Sequence, residues 1–212
     1  MARDESTSVQ APAVLARPQI SLVGDIDKWT VERFLDQLRD AEKTGGDIAL
    51  EVTTEGGDPE MARRLVLEIA NARARLKDRF FFLGKTVVYS AGVTVMSGFP
   101  CRDRWLSVDA ILMIHGRKLD KTVELSGPIR ASLPMIEALR SQIETAIGLE
   151  EEGFLRLIDG CEIGIEELHE KALHNWYLPA AEALNRGLVG GIYRPGSSGP
   201  LLDPGNIGGR GR

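Results

Sequence analysis

"DIALEVTTEGGDPEMARRLVLEI", residues 47–69, changes its period partway along, and that change decides the fold. Its first part, "DIALEVTT" (47–54), is an apolar, β-branched run of strand length. Gly56-Gly57 ends the strand. Asp58-Pro59-Glu60 then opens a helix: an Asp side chain caps, Pro suits the first helical position, and Glu favours the positive end of the helix dipole. Met61, Leu65 and Ile69 (or Leu67) carry that helix toward residue 74.

The same alternation recurs on both sides. "ISLVGDI" (20–26) predicts a first strand, and "TVERFLDQLRDAEK" (30–43) a helix with Val31, Phe34, Leu35 and Leu38 on one face. "RFFFLGKTVV" (79–88) predicts a third strand, followed by a short apolar helix from Ser90 to about Phe99. "RWLSV" and "AILMIHG" add two more strands. Residues 127–158 predict a long helix with Ile129, Leu133, Ile136, Leu139 and Ile143 on one side, and another helix covers about 164–173. "LPAAEALNRG" (178–187) predicts a last helix, with Pro179 near its start and Gly187 at its stop, leading into "LVGGIY". Repeated strand–helix units of this kind predict an α/β fold with a mainly parallel sheet.

The chain has 212 residues, enough for one domain with a real core. Residues 1–17 are polar and proline-bearing and predict a mobile arm; 18–193 form the folded domain; the Gly/Pro-rich 194–212 predict a disordered tail. Charge is nearly balanced, 26 basic against 31 acidic residues for a net of −5, with no basic patch, which argues against nucleic-acid binding. No stretch approaches the roughly 18 apolar residues of a membrane span. Asp4 and Glu5 stand where a secretory signal would be basic, and two cysteines, Cys101 and Cys161, make no disulfide framework, so a reducing cytoplasmic location is expected. With three histidines, two cysteines and no HExxH, neither a metal nor another cofactor is expected.

In an α/β sheet, reactive groups gather where strands end and helices begin. Three such junctions carry chemistry here. Gly56-Gly57 exposes backbone N–H groups at a turn no side chain blocks. Ser90 follows the third strand, its hydroxyl beside a helix N-terminus. His115 closes the apolar strand "AILMIHG". A nucleophilic hydroxyl needs a base, an orienter for that base and preformed donors for an oxyanion. Ser90, His115 and the amides of Gly57 and Ala91 supply three of these four requirements. Each has a plainer structural reading: a back-bonded buried serine, a carbonyl-satisfied strand-end histidine, a tight turn before a helix.

Taken together these residues resemble the proteolytic subunit of the Clp protease, a serine peptidase family related in fold to the crotonases. The resemblance spans about 18–193. "EVTTEGGDPEMA" matches the family's Gly-Gly oxyanion turn before a helix; Tyr89-Ser90-Ala91-Gly92 matches a nucleophile motif of the form Ala-Ser-Met-Gly; Met113-Ile114-His115 matches Met-Ile-His verbatim. The 25 positions from Ser90 to His115 run without a gap against the family pattern, with Arg104 and Trp105 also in register. Counting back from Gly187-Leu188-Val189 through "HNWYLPAAEALNRGLVGGI" places Asn175 where the family carries its aspartate.

The resemblance therefore implies a Clp-type serine peptidase with Ser90 as nucleophile, His115 as base, Asn175 as orienter, and Gly57 and Ala91 at the oxyanion hole. An Asn carbonyl can accept from imidazole Nδ1–H and hold the tautomer, but it supplies no full charge to the imidazolium. His174, Asp120 and Asp159 are other groups near this stretch of chain or able to substitute for the missing carboxylate. The resemblance further implies peptide or unfolded-protein substrates and a homo-oligomeric ring interlocked by a long handle helix ("IEALRSQIETAIGLEEEGFL"). An ATP-dependent unfoldase or a second Clp-like subunit would be the partner. "GRKLDKTVELSGP" departs from the family's Gly-rich substrate-binding strand. Two alternatives follow from these departures and from the shared fold: a catalytically weak or inactive Clp-like subunit with a structural role, and a crotonase-type acyl-CoA enzyme. The second lacks the Glu or Asp bases that chemistry uses near the oxyanion turn.

Overall fold

The computed structural model describes residues 10–196. A parallel sheet forms the centre: β1 (Ile20–Val23), β2 (Ile48–Thr54), β3 (Phe80–Tyr89), β4 (Arg104–Ser107) and β7 (Gly191–Tyr193), hydrogen-bonded in the order β1-β2-β3-β4-β7. Two further strands, β5 (Ile111–Ile114) and β6 (Trp176–Pro179), extend from β3. The α/β class and mainly parallel sheet are as the sequence predicts. The antiparallel strand β6 is not in that reading: "WYLP" alternates buried and exposed residues beside β5, so the last helix (α6, Ala180–Asn185) begins only after Pro179.

β3 serves two partners in turn. Phe82–Gly84 pair with β4, whereas Val87–Tyr89 pair with β5. Between them Thr86 takes a positive φ of 52°, and the β2 register shifts between Val52 and Thr54. Gly84 sits at this division because a Cβ there would lie 2.5 Å from Leu106 Cδ2 and 2.8 Å from Val88 Cγ2. The fork aims the end of β3 at β5, which brings Ser90 beside the strand that ends at His115.

Helices α1 (Lys28–Thr44) and α2 (Pro59–Arg75) cover one face. The predicted stripe of α1 is buried at Val31, Phe34 and Leu38, and on α2 Leu65 and Ile69 face inward while Leu67 is exposed. α1 starts two residues before the predicted point because Asp27 and Thr30 form a reciprocal capping box. Asp58 caps α2, accepting from the amides of Glu60 at 2.7 Å and Met61 at 3.3 Å, with Pro59 in the first turn. The opposite face holds a smaller cluster of Leu15, Ala49, Phe81, Leu83, Trp105 and Tyr193. Leu15 reaches it from a 3-10 turn at Ala13–Ala16, so the end of the predicted arm packs against the sheet; residues 1–9 and 197–212, the rest of the arm and most of the tail, lie outside the described residues.

Helix α3 (Ala91–Ser97) follows β3 directly. α4 (Ile129–Ile158) is a 30-residue rod about 45 Å long, of which only Phe154 and Leu157 are buried. Its predicted stripe does not enter the core: Ile129 is 86% exposed, and Leu133, Ile136 and Ile143 are exposed as well. α5 (Ile165–Ala172) packs against α4. No helix among the described residues is long and apolar enough to cross a membrane.

Candidate active site

The chain turns from β3 into α3 at Ser90, whose backbone adopts φ 52°, ψ −112°. That region suits glycine, and an L-residue held there is strained. The turn is fixed from both sides. Ser90 N–H donates to the Met113 carbonyl at 2.9 Å, continuing the β3–β5 ladder by one bond, and the Ser90 carbonyl accepts from the amides of Val93 and Thr94. The Ser90 hydroxyl makes no hydrogen bond among the described residues and does not cap α3. It is not the back-bonded serine of a buried helix start.

Gly56 and Gly57 adopt φ of 131° and 140°. A Cβ on Gly56 would come within 3.0 Å of Ser90 Cβ, so the glycine turn lies against the serine; a Cβ on Gly57 would lie 2.3 Å from the Ile26 carbonyl oxygen. The turn is braced by Thr54, whose hydroxyl donates to the Gly56 carbonyl and accepts from the Gly56 amide, both at 3.0 Å. The Thr54 methyl also fills the space beside Gly92, where a Cβ would be 2.4 Å away. One buried threonine thus joins the glycine turn to the first turn of α3. Its β-branched place at the end of a strand looks like ordinary sheet sequence, which is why it carried no signal. No described residue accepts a hydrogen bond from the amides of Gly57 or Ala91.

Ser90, Gly57, Ala91 and His115 all line one open cavity of about 550 Å³, which α4 borders through Ile143, Ile147 and Phe154. His115 is half-buried at the end of β5. No hydrogen bond joins it to Ser90. Its Nδ1 lies 2.5 Å from the Gly116 carbonyl; a carbonyl only accepts, so this contact calls for the Nδ1–H tautomer and leaves Nε2 as the basic nitrogen.

Asn175 stands apart from this group. Trp176 pairs with Ile114 across the antiparallel β5–β6 ladder, which puts the Asn175 backbone at the next position, opposite His115. Its side chain, however, is exposed, finds no hydrogen-bond partner among the described residues, and borders a separate shallow depression with His174 and Tyr177. Asn175 adopts a left-handed φ of 58°, a conformation Asn tolerates better than most residues. Asp120 and Asp159 do not line the cavity.

Charged residues that the sequence did not single out for the site frame the cavity mouth. Arg117 Nη1 donates to Glu60 Oε1 at 2.8 Å, and Arg63 pairs with the other Glu60 oxygen at 2.6 Å. The hydrogen bond from Arg117, and after it that from Arg63, hold the Glu60 carboxyl below its ordinary range against a burial penalty. Glu150 of α4 accepts from the Arg117 backbone amide. The segment from His115 to Pro128 forms no helix or strand, and these contacts tie its first residues to α2 and α4. Glu60 reads in sequence only as a helix-start charge; the 57- and 33-residue separations of its and Glu150's links to Arg117 hide the rest.

Among solved structures, the chain superposes on an asparagine-to-aspartate mutant of ClpP1 from Listeria monocytogenes. The TM-score is 0.65, covering 85% of this chain and 92% of that one, at 19% sequence identity. By sequence, no protein-family model and no curated protein matches. The fold is therefore Clp-protease-like.

Proposed function

We propose that the protein is a Clp-type serine peptidase that cleaves peptide bonds through an acyl-enzyme. The observation that carries this reading is Ser90 itself: a hydroxyl with no hydrogen-bond partner among the described residues, on a strained turn, sharing one cavity with a strand-end histidine and two amides that no described residue uses. Strain at a single non-glycine residue marks a place where geometry is held for a purpose.

In this mechanism Ser90 Oγ attacks the scissile carbonyl while His115 Nε2 takes its proton. The amides of Gly57 and Ala91 donate to the oxyanion, and His115 returns the proton to the leaving amine. Water then attacks the acyl-enzyme by the same steps. A side-chain rotation must first close the Ser90–His115 hydrogen bond, as in many empty sites. The Gly116 carbonyl holds the Nδ1–H tautomer in the resting chain, and Asn175, opposite His115 in the ladder, takes over that role by turning its amide oxygen to the ring. Peptides and unfolded chains are the substrates, and copies of the chain assemble through the bare apolar stripe of α4.

A fluorophosphonate or β-lactone probe tests the reading. It should label Ser90, and a Ser90→Ala protein should stay unlabelled. Absence of any adduct on folded, assembled protein would refute peptidase activity at this site.

A further inference from the structure

The protein's two cysteines, 60 residues apart, meet beside Leu157, a residue of the cavity wall. Cys101 Sγ and Cys161 Sγ are 3.3 Å apart, in contact but not bonded. Cys101 opens the 3-10 turn (Cys101–Asp103) that leads into β4; Cys161 lies in the turn after α4. Around them is a defined polar setting. Arg104, 1% exposed, places Nη1 at 3.4 Å from Cys101 Sγ while the same guanidinium donates to the carbonyls of Phe99, Leu157 and Leu188. Cys161 Sγ lies 3.3 Å from the Gly187 carbonyl. Both thiols are half-buried, so a small oxidant reaches them while a bulky one is hindered.

We propose that Cys101 and Cys161 are a thiol–disulfide redox couple, oxidised by a small hydroperoxide, that clips the lead into β4 to the end of α4. Cys101 acts first. Its thiolate sulfur attacks one peroxide oxygen, the O–O bond breaks, and hydroxide leaves to give a sulfenic acid. The Cys161 sulfur then attacks the Cys101 sulfur, the S–O bond breaks, and water departs with the Cys161 proton. Two thiols and hydrogen peroxide thus become one disulfide and two waters. The sulfurs need only close from 3.3 Å to the ~2.05 Å of a disulfide. The division of roles follows from the surroundings: the S–H of Cys161, then the Arg104 charge, draw Cys101 down to about 6 against burial, while the same pairing pushes Cys161 upward. The clip acts on the cavity wall, because Leu157 both lines the cavity and gives its carbonyl to Arg104.

The test uses the full chain, folded, treated with hydrogen peroxide, alkylated, and weighed intact without reduction. The expected product is a monomer lighter by two hydrogens, resistant to alkylation, with one cross-linked peptide pair containing Cys101 and Cys161, and reversed by dithiothreitol. With only two cysteines in the chain, the assignment is unambiguous. Because the native fold holds the sulfurs together, the disulfide should form about tenfold or more faster than in urea-unfolded chain. Amide exchange across residues 153–163 should slow in the oxidised protein. A Cys161→Ser protein should stop at a dimedone-reactive sulfenic acid on Cys101. Inter-chain disulfides, over-oxidation of Cys101 with Cys161 still free, equal rates in urea, or unchanged exchange would each overturn the proposal. It does not depend on the peptidase reading, since no readout measures hydrolysis.

Discussion

Replacing Ser90 by glycine and by alanine separates strain from chemistry. Both substitutions remove the proposed nucleophile, and neither loses a hydrogen bond, since the hydroxyl makes none among the described residues. Alanine keeps a Cβ at φ 52°, ψ −112°, and glycine does not. Such a backbone costs a non-glycine residue on the order of 1–3 kcal/mol. Against that release, glycine loses about 0.4–1 kcal/mol more chain entropy on folding than alanine. It also gives up a half-buried methyl, roughly 0.5 kcal/mol. At the middle of these ranges Ser90→Gly should be more stable than Ser90→Ala by about 0.5–1 kcal/mol. In a helix or strand interior the order would be reversed, because Ala→Gly there costs about 0.5–1 kcal/mol; a relaxed N-cap also favours glycine over alanine, so the reversed order is the refuting result. Urea unfolding at one fixed protein concentration measures it, since assembly shifts apparent stability by mass action. In thermal scans the same difference is about 1–4 °C for a domain of this size. A Ser90→Gly protein less stable than Ser90→Ala by half a kcal/mol would mean that the turn is relaxed, and the argument from strain to function would fail.

Three other outcomes are expected. Asn175→Asp, which gives His115 a charged partner, should raise peptide turnover about tenfold or more, read as kcat in a fluorogenic peptide assay; an unchanged or lower kcat would remove Asn175 from the site. Gly57→Ala must force a Cβ against the Ile26 carbonyl at φ 140°, so urea unfolding should show a loss of about 2–4 kcal/mol together with lost probe labelling. Glu60, whose folded-state pKa is depressed, contributes stability that is complete above its unfolded value of about 4.3 and is lost as pH falls through the lower folded value. Glu60→Gln should therefore flatten the stability-versus-pH curve below about pH 4.3, and an unaltered slope there would show that Arg117 does not hold it.

What the sequence makes legible here follows the range of the interactions involved. The Asp58-Pro59-Glu60 helix start, the stripe of α1 and the strand–turn–helix at Ser90 are written in neighbouring residues, and the structure has them nearly residue for residue. α1 begins two residues before its apolar stripe predicts because the reciprocal cap of Asp27 and Thr30 sets its start. β6 escaped because "WYLP" acquires its meaning from Ile111–Ile114, more than 60 residues earlier. The site shows the same limit. Ser90, His115 and the glycine turn can be found from strand ends, but Thr54 bracing Gly56, Glu150 on the Arg117 amide and the meeting of two distant thiols are tertiary facts with no local pattern.

Helix α4 links the bare surface of this chain to its candidate site. The rod is anchored at one end by Phe154 and Leu157, while Ile129, Leu133 and Ile136 are left in water. A stripe of that length on a 30-residue helix is the surface through which the proposed self-assembly would run. The same helix presents Ile143 and Ile147 to the cavity and Glu150 to the Arg117 amide, two residues beyond His115. A second copy on the outer stripe would therefore fix the cavity wall, and through Glu150 the backbone whose Gly116 carbonyl meets His115 Nδ1. In the isolated chain the Ser90–His115 bond is open and Asn175 faces solvent. The proposed self-assembly and the closing of the catalytic group would then be one transition, carried by a contiguous path from the stripe of α4 to the ring of His115.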